Sequence, residues 1–191
     1  MHIAIFTDQH PRSLGGIQTS IMLQKKYLER AGHRVTIVCP SSSKGRATDG
    51  FWILPTWPIA FNFEYGFVGN VRRSRKRLDR GFNELHHKFD IVHIQGDMWS
   101  GIIGLGFAQR QRLPIVHTMH FNMSQVVSNL LGKRLTRYLF WLLSRELLKH
   151  VNRPRSGTTG DPWVYLKLLA QEAEILFAPS HHFAKDLMTH E

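Results

Sequence analysis

The chain is poor in acid, poor in thiol and without long apolar runs. Fourteen Asp and Glu stand against twenty-five Lys and Arg, a formal charge of +11. A field of that sign argues against cationic partners and suits polyanions, anionic membranes or phosphorylated ligands. The one cysteine, Cys39, rules out an intrachain disulfide and, at the end of an apolar segment, reads as a small core residue. No run of eighteen apolar residues occurs, and the longest candidate, Tyr138 to Leu143, is far too short to cross a bilayer. The first apolar segment starts at His2, which leaves no room for a signal peptide. The expectation is a soluble cytoplasmic protein, with peripheral attachment to the inner face of the cell membrane left open.

The usual nucleotide signatures are missing too. A dinucleotide fingerprint needs G-x-G-x-x-G after the first strand and an acid at the end of the second. Here the first loop has only Gly15-Gly16, and the second strand ends in Cys39-Pro40. Gly101, Gly104 and Gly106 have that spacing reversed and lie in a predicted helix, where close packing on a sheet is the simpler role. No G-x-x-x-x-G-K-[ST] occurs. Twelve histidines invite a metal, but His181-His182 are adjacent, and His117 and His120, if both lie on a strand, face opposite ways. With no Asp-x-Asp pair either, no dedicated metal site is expected.

What is present is an alternation of apolar strands and amphipathic helices. At 191 residues and 42% hydrophobic composition, one core and one domain are expected. Strands are predicted at His2–Phe6, Val35–Cys39, Phe51–Leu54, Asp90–Gln95, Pro114–Thr118 and Ile175–Ala178. The continuous apolarity of Val35–Cys39 suits a parallel strand covered on both faces. Helices are predicted at Gly16–Ala31, Val71–Lys88, Ser100–Gln111 and Asn122 to about Val151, with two more around the last strand. Residues 41–50 form a Ser/Gly/Lys loop, and the Pro- and aromatic-rich stretch 55–69 a long ordered loop. The fold class is α/β, a Rossmann-like, doubly wound, mostly parallel sheet flanked by helices. Gly15 and Gly16, where strand hands over to helix, put backbone N–H groups at a helix's positive end, a place for phosphate. A tight turn with no ligand is the competing reading.

Four stretches, in order, carry a resemblance. They are Ile5-Phe6-Thr7-Asp8 with Pro11 and Leu14-Gly15-Gly16-Ile17-Gln18; Phe89-Asp90-Ile91-Val92-His93-Ile94-Gln95; Leu113 to His120; and Ile175-Leu176-Phe177-Ala178-Pro179-Ser180. Together they resemble family 4 retaining glycosyltransferases, across nearly the whole chain. That resemblance implies a GT-B architecture of two Rossmann-like halves, with residues 1–191 as the N-terminal, acceptor-binding half. The family's Glu-x7-Glu signature has no counterpart here. A separate nucleotide-sugar domain is therefore expected, and these residues alone are expected to be inactive.

The resemblance also implies roles. His120 would contact the transferred sugar as the catalytic residue. Gly15, Gly16 and Gln18 would meet donor phosphate or acceptor, although Gln18 could equally be ordinary helix-surface polarity. Asp8, Gln95, Gly96, Asp97 and Thr118 would line the cleft. The implied reaction moves a hexose from a nucleotide-sugar with retention and no obligatory metal or other cofactor.

Two basic stretches complete the inventory. Arg72, Arg73, Arg75, Lys76 and Arg77 crowd one predicted helix, in which Arg75, Leu78 and Phe82 make no neat apolar stripe. Lys133, Arg134 and Arg137 cluster with Trp141 on another, opposite Leu131, Leu135, Leu139, Leu142 and Leu143. Each could be a solvated face; a basic amphipathic helix with a Trp also suits an anionic membrane. Family members that glycosylate phosphatidylinositol or diacylglycerol carry such a surface, so a lipid or lipid-linked acceptor is expected. A soluble acceptor, or a non-catalytic module binding anionic lipid or nucleic acid, is the alternative. Nucleic acid is disfavoured because no recognition-helix, zinc-finger or RNP-type motif is present.

Overall fold

A computed structural model describes residues 1–13, 15–41, 50–58, 66–68, 71–120, 132–151 and 157–189. Six strands make one parallel sheet: β1 (His2–Phe6), β2 (Arg34–Pro40), β3 (Phe51–Leu54), β6 (Ile91–Ile94), β7 (Ile115–Thr118) and β8 (Ile175–Phe177). Their order is β3-β2-β1-β6-β7-β8. The chain builds outward from β1 in one direction, then returns to its other side. This arrangement creates a switch point at the carboxyl ends of β1 and β6, the usual place for a ligand crevice.

Alternation within the strands divides the core. Ile3 and Ile5 of β1 join Val35, Ile37 and Cys39 of β2 and Ile21 of helix α1 (Gly16–Arg30) in one cluster. Ala4 and Phe6, with Val38, point the other way, into the larger cluster shared with the remaining helices. β1 is buried along its whole length, so after His2 its sequence is apolar throughout rather than alternating. Cys39 is fully buried, and burial pushes its thiol pKa up to about 12, so it is an inert packing group.

Helix α2 (Val71–Glu84) buries Ser74, Leu78 and Phe82, one residue per turn. This corrects the expectation that it lacks a stripe: the row starts at Ser74, not Arg75. Arg110 ties it to α3 (Trp99–Gln111) through Asp79, at 2.9 Å. Residues Ser100 to Ala108 of α3 are all buried. Its glycines permit that depth, since a Cβ at Gly101 would lie 2.4 Å from the Gly96 carbonyl and one at Gly104 2.9 Å from the Phe6 ring.

Two further expectations are corrected. Within 55–69, β4 (Thr56–Pro58) pairs antiparallel with β5 (Gly66–Val68), so part of the expected loop is a ribbon; residues 59–65 and 69 lie outside the described residues. The helix expected over 122–151 is seen as α4 (Lys133–Leu147), which starts after Gly132 at φ 75°. Residues 121–131, Leu131 included, lie outside the described residues, as do 42–49 of the Ser/Gly/Lys loop. α4 buries Thr136, Phe140, Leu143, Ser144 and Leu147, whereas Leu135 is 51% exposed. The leucine face predicted for it is thus rotated toward Phe140. Helices α5 (Pro162–Ala170) and α6 (His181–Thr189) bracket β8. Asp161 caps α5 by accepting from the Trp163 amide at 2.8 Å, with Pro162 opening the helix.

Candidate functional site

The carboxyl ends of β1, β6 and β7 converge with the start of α1. Leaving β1, Asp8 reaches across the switch point to the first turn of α3. Its carboxylate accepts from the Met98 amide at 2.9 Å and the Ser100 amide at 2.8 Å. Met98 has no capping side chain of its own, so a residue about ninety positions away supplies the cap. Burial holds the Asp8 carboxyl above the ordinary carboxylate range, opposed by those hydrogen bonds. Gly96 gives this bridge room: a Cβ there would stand 2.4 Å from Asp8 Oδ2 and 2.1 Å from Ser100 Oγ.

Beyond β6, Gln95 is buried and continues the ladder, its amide donating to the Phe6 carbonyl at 2.8 Å. Its side-chain Nε2 donates to Gln24 Oε1 of α1 at 2.6 Å, and its Oε1 lies 2.9 Å from His120 Nε2. Burial lowers the His120 pKa, with Asp97 opposing and His117 adding to the shift, so the ring is neutral at physiological pH. Asp97 Oδ1 is 2.8 Å from Nε2 of the fully buried His117. Thr118 turns to β6 instead, its Oγ1 2.7 Å from His93 Nε2. Burial, reinforced by His117 and His120, pushes His93 down to about 4.

Gln18 is buried, not a helix-surface residue, and donates to Gln9 Oε1. A Cβ at Gly15 would fall 2.1 Å from Gln18 Oε1, at the entrance to α1. α1 begins with no side-chain cap and no acid in its first turn, so its leading amides are donors toward the same edge. Gln18, Asp8, Gln95, Gly96, Asp97 and His120 share one pocket of about 80 Å³ with Thr7, Gln9, Ile17 and Met98. Gly16 sits outside it, on a neighbouring groove along α1, and Thr118 is not on its wall.

The two basic sets lie elsewhere. Arg72, Arg73, Arg75, Lys76 and Arg77 are exposed on α2, and Lys133, Arg134 and Arg137 on α4. Trp141 is partly exposed, stacked on Tyr138 at 6.1 Å with the Arg145 guanidinium 5.6 Å from its ring. Among the described residues, no helix is long and apolar enough to cross a membrane.

Sequence reasoning missed His93, His117 and Gln24. A signal existed for the histidines: each interrupts an apolar, doubly covered strand, and a polar group buried there needs a partner. Gln24 carried none, since a glutamine on an amphipathic helix is unremarkable.

Comparison with known proteins gives consistent likenesses. The pattern of the family described as "Glycosyltransferase Family 4" matches residues 14–191. The alpha-monoglucosyldiacylglycerol synthase of Acholeplasma laidlawii is 31% identical over 140 residues, covering 72% of this chain and 34% of that protein. The enzyme of the same name from Streptococcus pneumoniae is 27% identical over 125 residues, covering 63% and 26%. The chain thus matches about a third or less of the length of these curated relatives. An alpha-glucosyltransferase solved with UDP and a 13-mer DNA aligns over 95% of this chain and 37% of its own, at 14% identity and a TM-score of 0.45.

Proposed function

The chain belongs to glycosyltransferase family 4, and from that membership we propose that it forms the acceptor side of an enzyme moving a hexose from a nucleotide-sugar to a membrane lipid. The observation that carries the reading is the placement of neutral His120 on one pocket with Gln18 and Gln95, beside the uncapped start of α1, at the switch point of the sheet. A pocket of about 80 Å³ is well below the ~300 Å³ of a small enclosed ligand site. It suits one wall of a cleft, holding a sugar's hydroxyl-bearing edge. The donor nucleotide and the cations that hold it are assigned to a second domain.

In this scheme His120 hydrogen-bonds the transferred sugar, and its neutrality leaves one ring nitrogen able to accept from a hydroxyl. The amides of Gly15 and Gly16 face the charge that grows on the departing diphosphate, where preorganised dipoles lower the barrier. Gln18 and Asp97 complete the wall, and Asp8 and Gly96 hold the loops that carry it. Thr118 acts at one remove, by holding His93. No step calls on a metal or other cofactor; the nucleotide-sugar is a co-substrate.

The lipid acceptor is supported by the relatives' names, which specify glucosyldiacylglycerol synthesis, and by the exposed cations of α2 and α4. Such cations attract an anionic leaflet, and Trp141 beside them suits the headgroup layer. Peripheral attachment to the cytoplasmic face follows from this reading. The test is transfer by the full-length enzyme, assayed with a nucleotide-sugar panel and lipid vesicles. His120→Ala should cut turnover at least a hundredfold, on the order of losing one aimed hydrogen-bonding group, with unchanged circular dichroism. Unchanged turnover would remove the role given to His120.

A further inference from the structure

We propose that Gln24 and Gln95 are positioning residues that hold His120 in one neutral tautomer, with the proton on Nε2 and the lone pair on Nδ1. Gln24 stands on the third turn of α1. Its Nε2 donates to Ser20 Oγ, one turn earlier, at 3.3 Å, which leaves its Oε1 turned to Gln95. Gln95 Nε2 donates to that oxygen at 2.6 Å. An amide has one oxygen and one nitrogen, so spending the nitrogen on Gln24 leaves the oxygen for His120. A carbonyl oxygen only accepts. His120 Nε2, 2.9 Å away, therefore carries the hydrogen, and Nδ1 is the ring's single acceptor.

The relay runs in one direction in the structure, from Gln95 Nε2 to Gln24 Oε1 and from His120 Nε2 to Gln95 Oε1. Gln95 is 2% exposed, so a rotated amide would need both of its hydrogen bonds to reverse. The opposite arrangement, with Gln24 donating to Gln95 and Gln95 donating to His120, would put the proton on Nδ1. Only one of the two presents Nδ1 as an acceptor for a sugar hydroxyl. The ring is thus prepared for substrate before substrate arrives, as a second-layer partner commonly does for histidine. The catalytic consequence rests on the proposed contact of His120 with sugar; the tautomer itself does not.

The experiment is a long-range proton–nitrogen correlation of the ¹⁵N-labelled chain at neutral pH, with the His120 ring assigned by its loss in His120→Asn. The unaltered chain should show the Nε2–H pattern. Gln24→Leu, on a half-buried helix position that accepts leucine, should release the Gln95 amide and bring in a substantial share of Nδ1–H. Gln24→Glu keeps an acceptor for Gln95 and should restore the unaltered pattern. In the full-length enzyme, Gln24→Leu should lower kcat about two- to tenfold with little change in donor KM, and Gln24→Glu should recover it.

An Nδ1–H pattern in the unaltered chain, or no change in Gln24→Leu, overturns the proposal. Both readings come from the ring itself, so they can fail while His120→Ala still abolishes transfer. Normal transfer by His120→Ala would instead sink only the proposed function.

Discussion

Mild acid should loosen this domain through His93, by an amount the structure allows to be worked out. The ring sits between β1 and β7, bonded to Thr118, and burial beside His117 and His120 pushes its pKa from the ordinary 6.5 to about 4. A base with a depressed folded pKa binds its proton earlier in the unfolded chain. Its contribution is therefore complete above pH 6.5 and is lost as pH falls toward 4. At roughly 1.4 kcal/mol per pH unit, the whole interval amounts to roughly 3 kcal/mol, and about 2.5 of that is gone by about pH 4.5. The perturbation is His93→Val, which suits a parallel strand and removes the titrating ring. Urea unfolding of both proteins between about pH 7.5 and pH 4.5 gives the assay. His2, His10, His120 and His150 are also depressed by burial, and Asp8 is shifted the other way, but these remain in both proteins. The stability difference between the two should therefore swing in favour of the valine form by about 2 to 3 kcal/mol on acidification. A separation that stays constant across the range would refute the reasoning.

Three other outcomes are expected. Asp8→Ala should cost about 2 kcal/mol by uncapping α3 and leaving two amides unpaired, and Asp8→Asn, which keeps one acceptor, should cost less; equal chemical denaturation midpoints would show that the bridge is dispensable. Gly104→Ala should cost about 1 to 3 kcal/mol, because the new Cβ meets the Phe6 ring at 2.9 Å, and a thermal midpoint no lower than that of the unaltered chain would contradict it. Arg72→Glu with Arg77→Glu should weaken co-sedimentation with anionic vesicles by tenfold or more, at about 1 kcal/mol per charge lost near the surface. Binding to zwitterionic vesicles should not move, and unchanged anionic binding would detach α2 from the membrane reading.

The legible and illegible parts of the molecule separate by range. The sheet's strands stood out as short, largely apolar runs, as β1, β2, β6 and β7 show, broken only by single polar residues such as Thr36, His93 and His117. The pairing of Thr56 with Val68 was not visible, since neither three-residue piece carries a period of its own. On α2 the exposed arginines distracted from a row beginning at Ser74, a small polar residue that packs as though apolar. On α4 the count of leucines pointed to one face, while the bulk of Phe140 and the burial of Thr136 and Ser144 set another. In each case local composition was read correctly and the neighbour that decided the orientation lay elsewhere.

The site divides in the same way. Family membership, the α/β class, and the position of Gly15, Gly16, Gln95 and His120 near strand ends follow from short stretches of sequence, because strand, turn and helix start are local events. Which atoms meet is another matter. Asp8 finds the amides of α3 ninety residues on, Gln24 finds Gln95 after seventy-one, and Asp97 and His117 pair across twenty. Those contacts exist only once the sheet has set β1 between β2 and β6. Burial then forces each polar group to take whatever partner the fold has brought within reach, and so tertiary structure alone decided the charge on His93 and the bonding of His120.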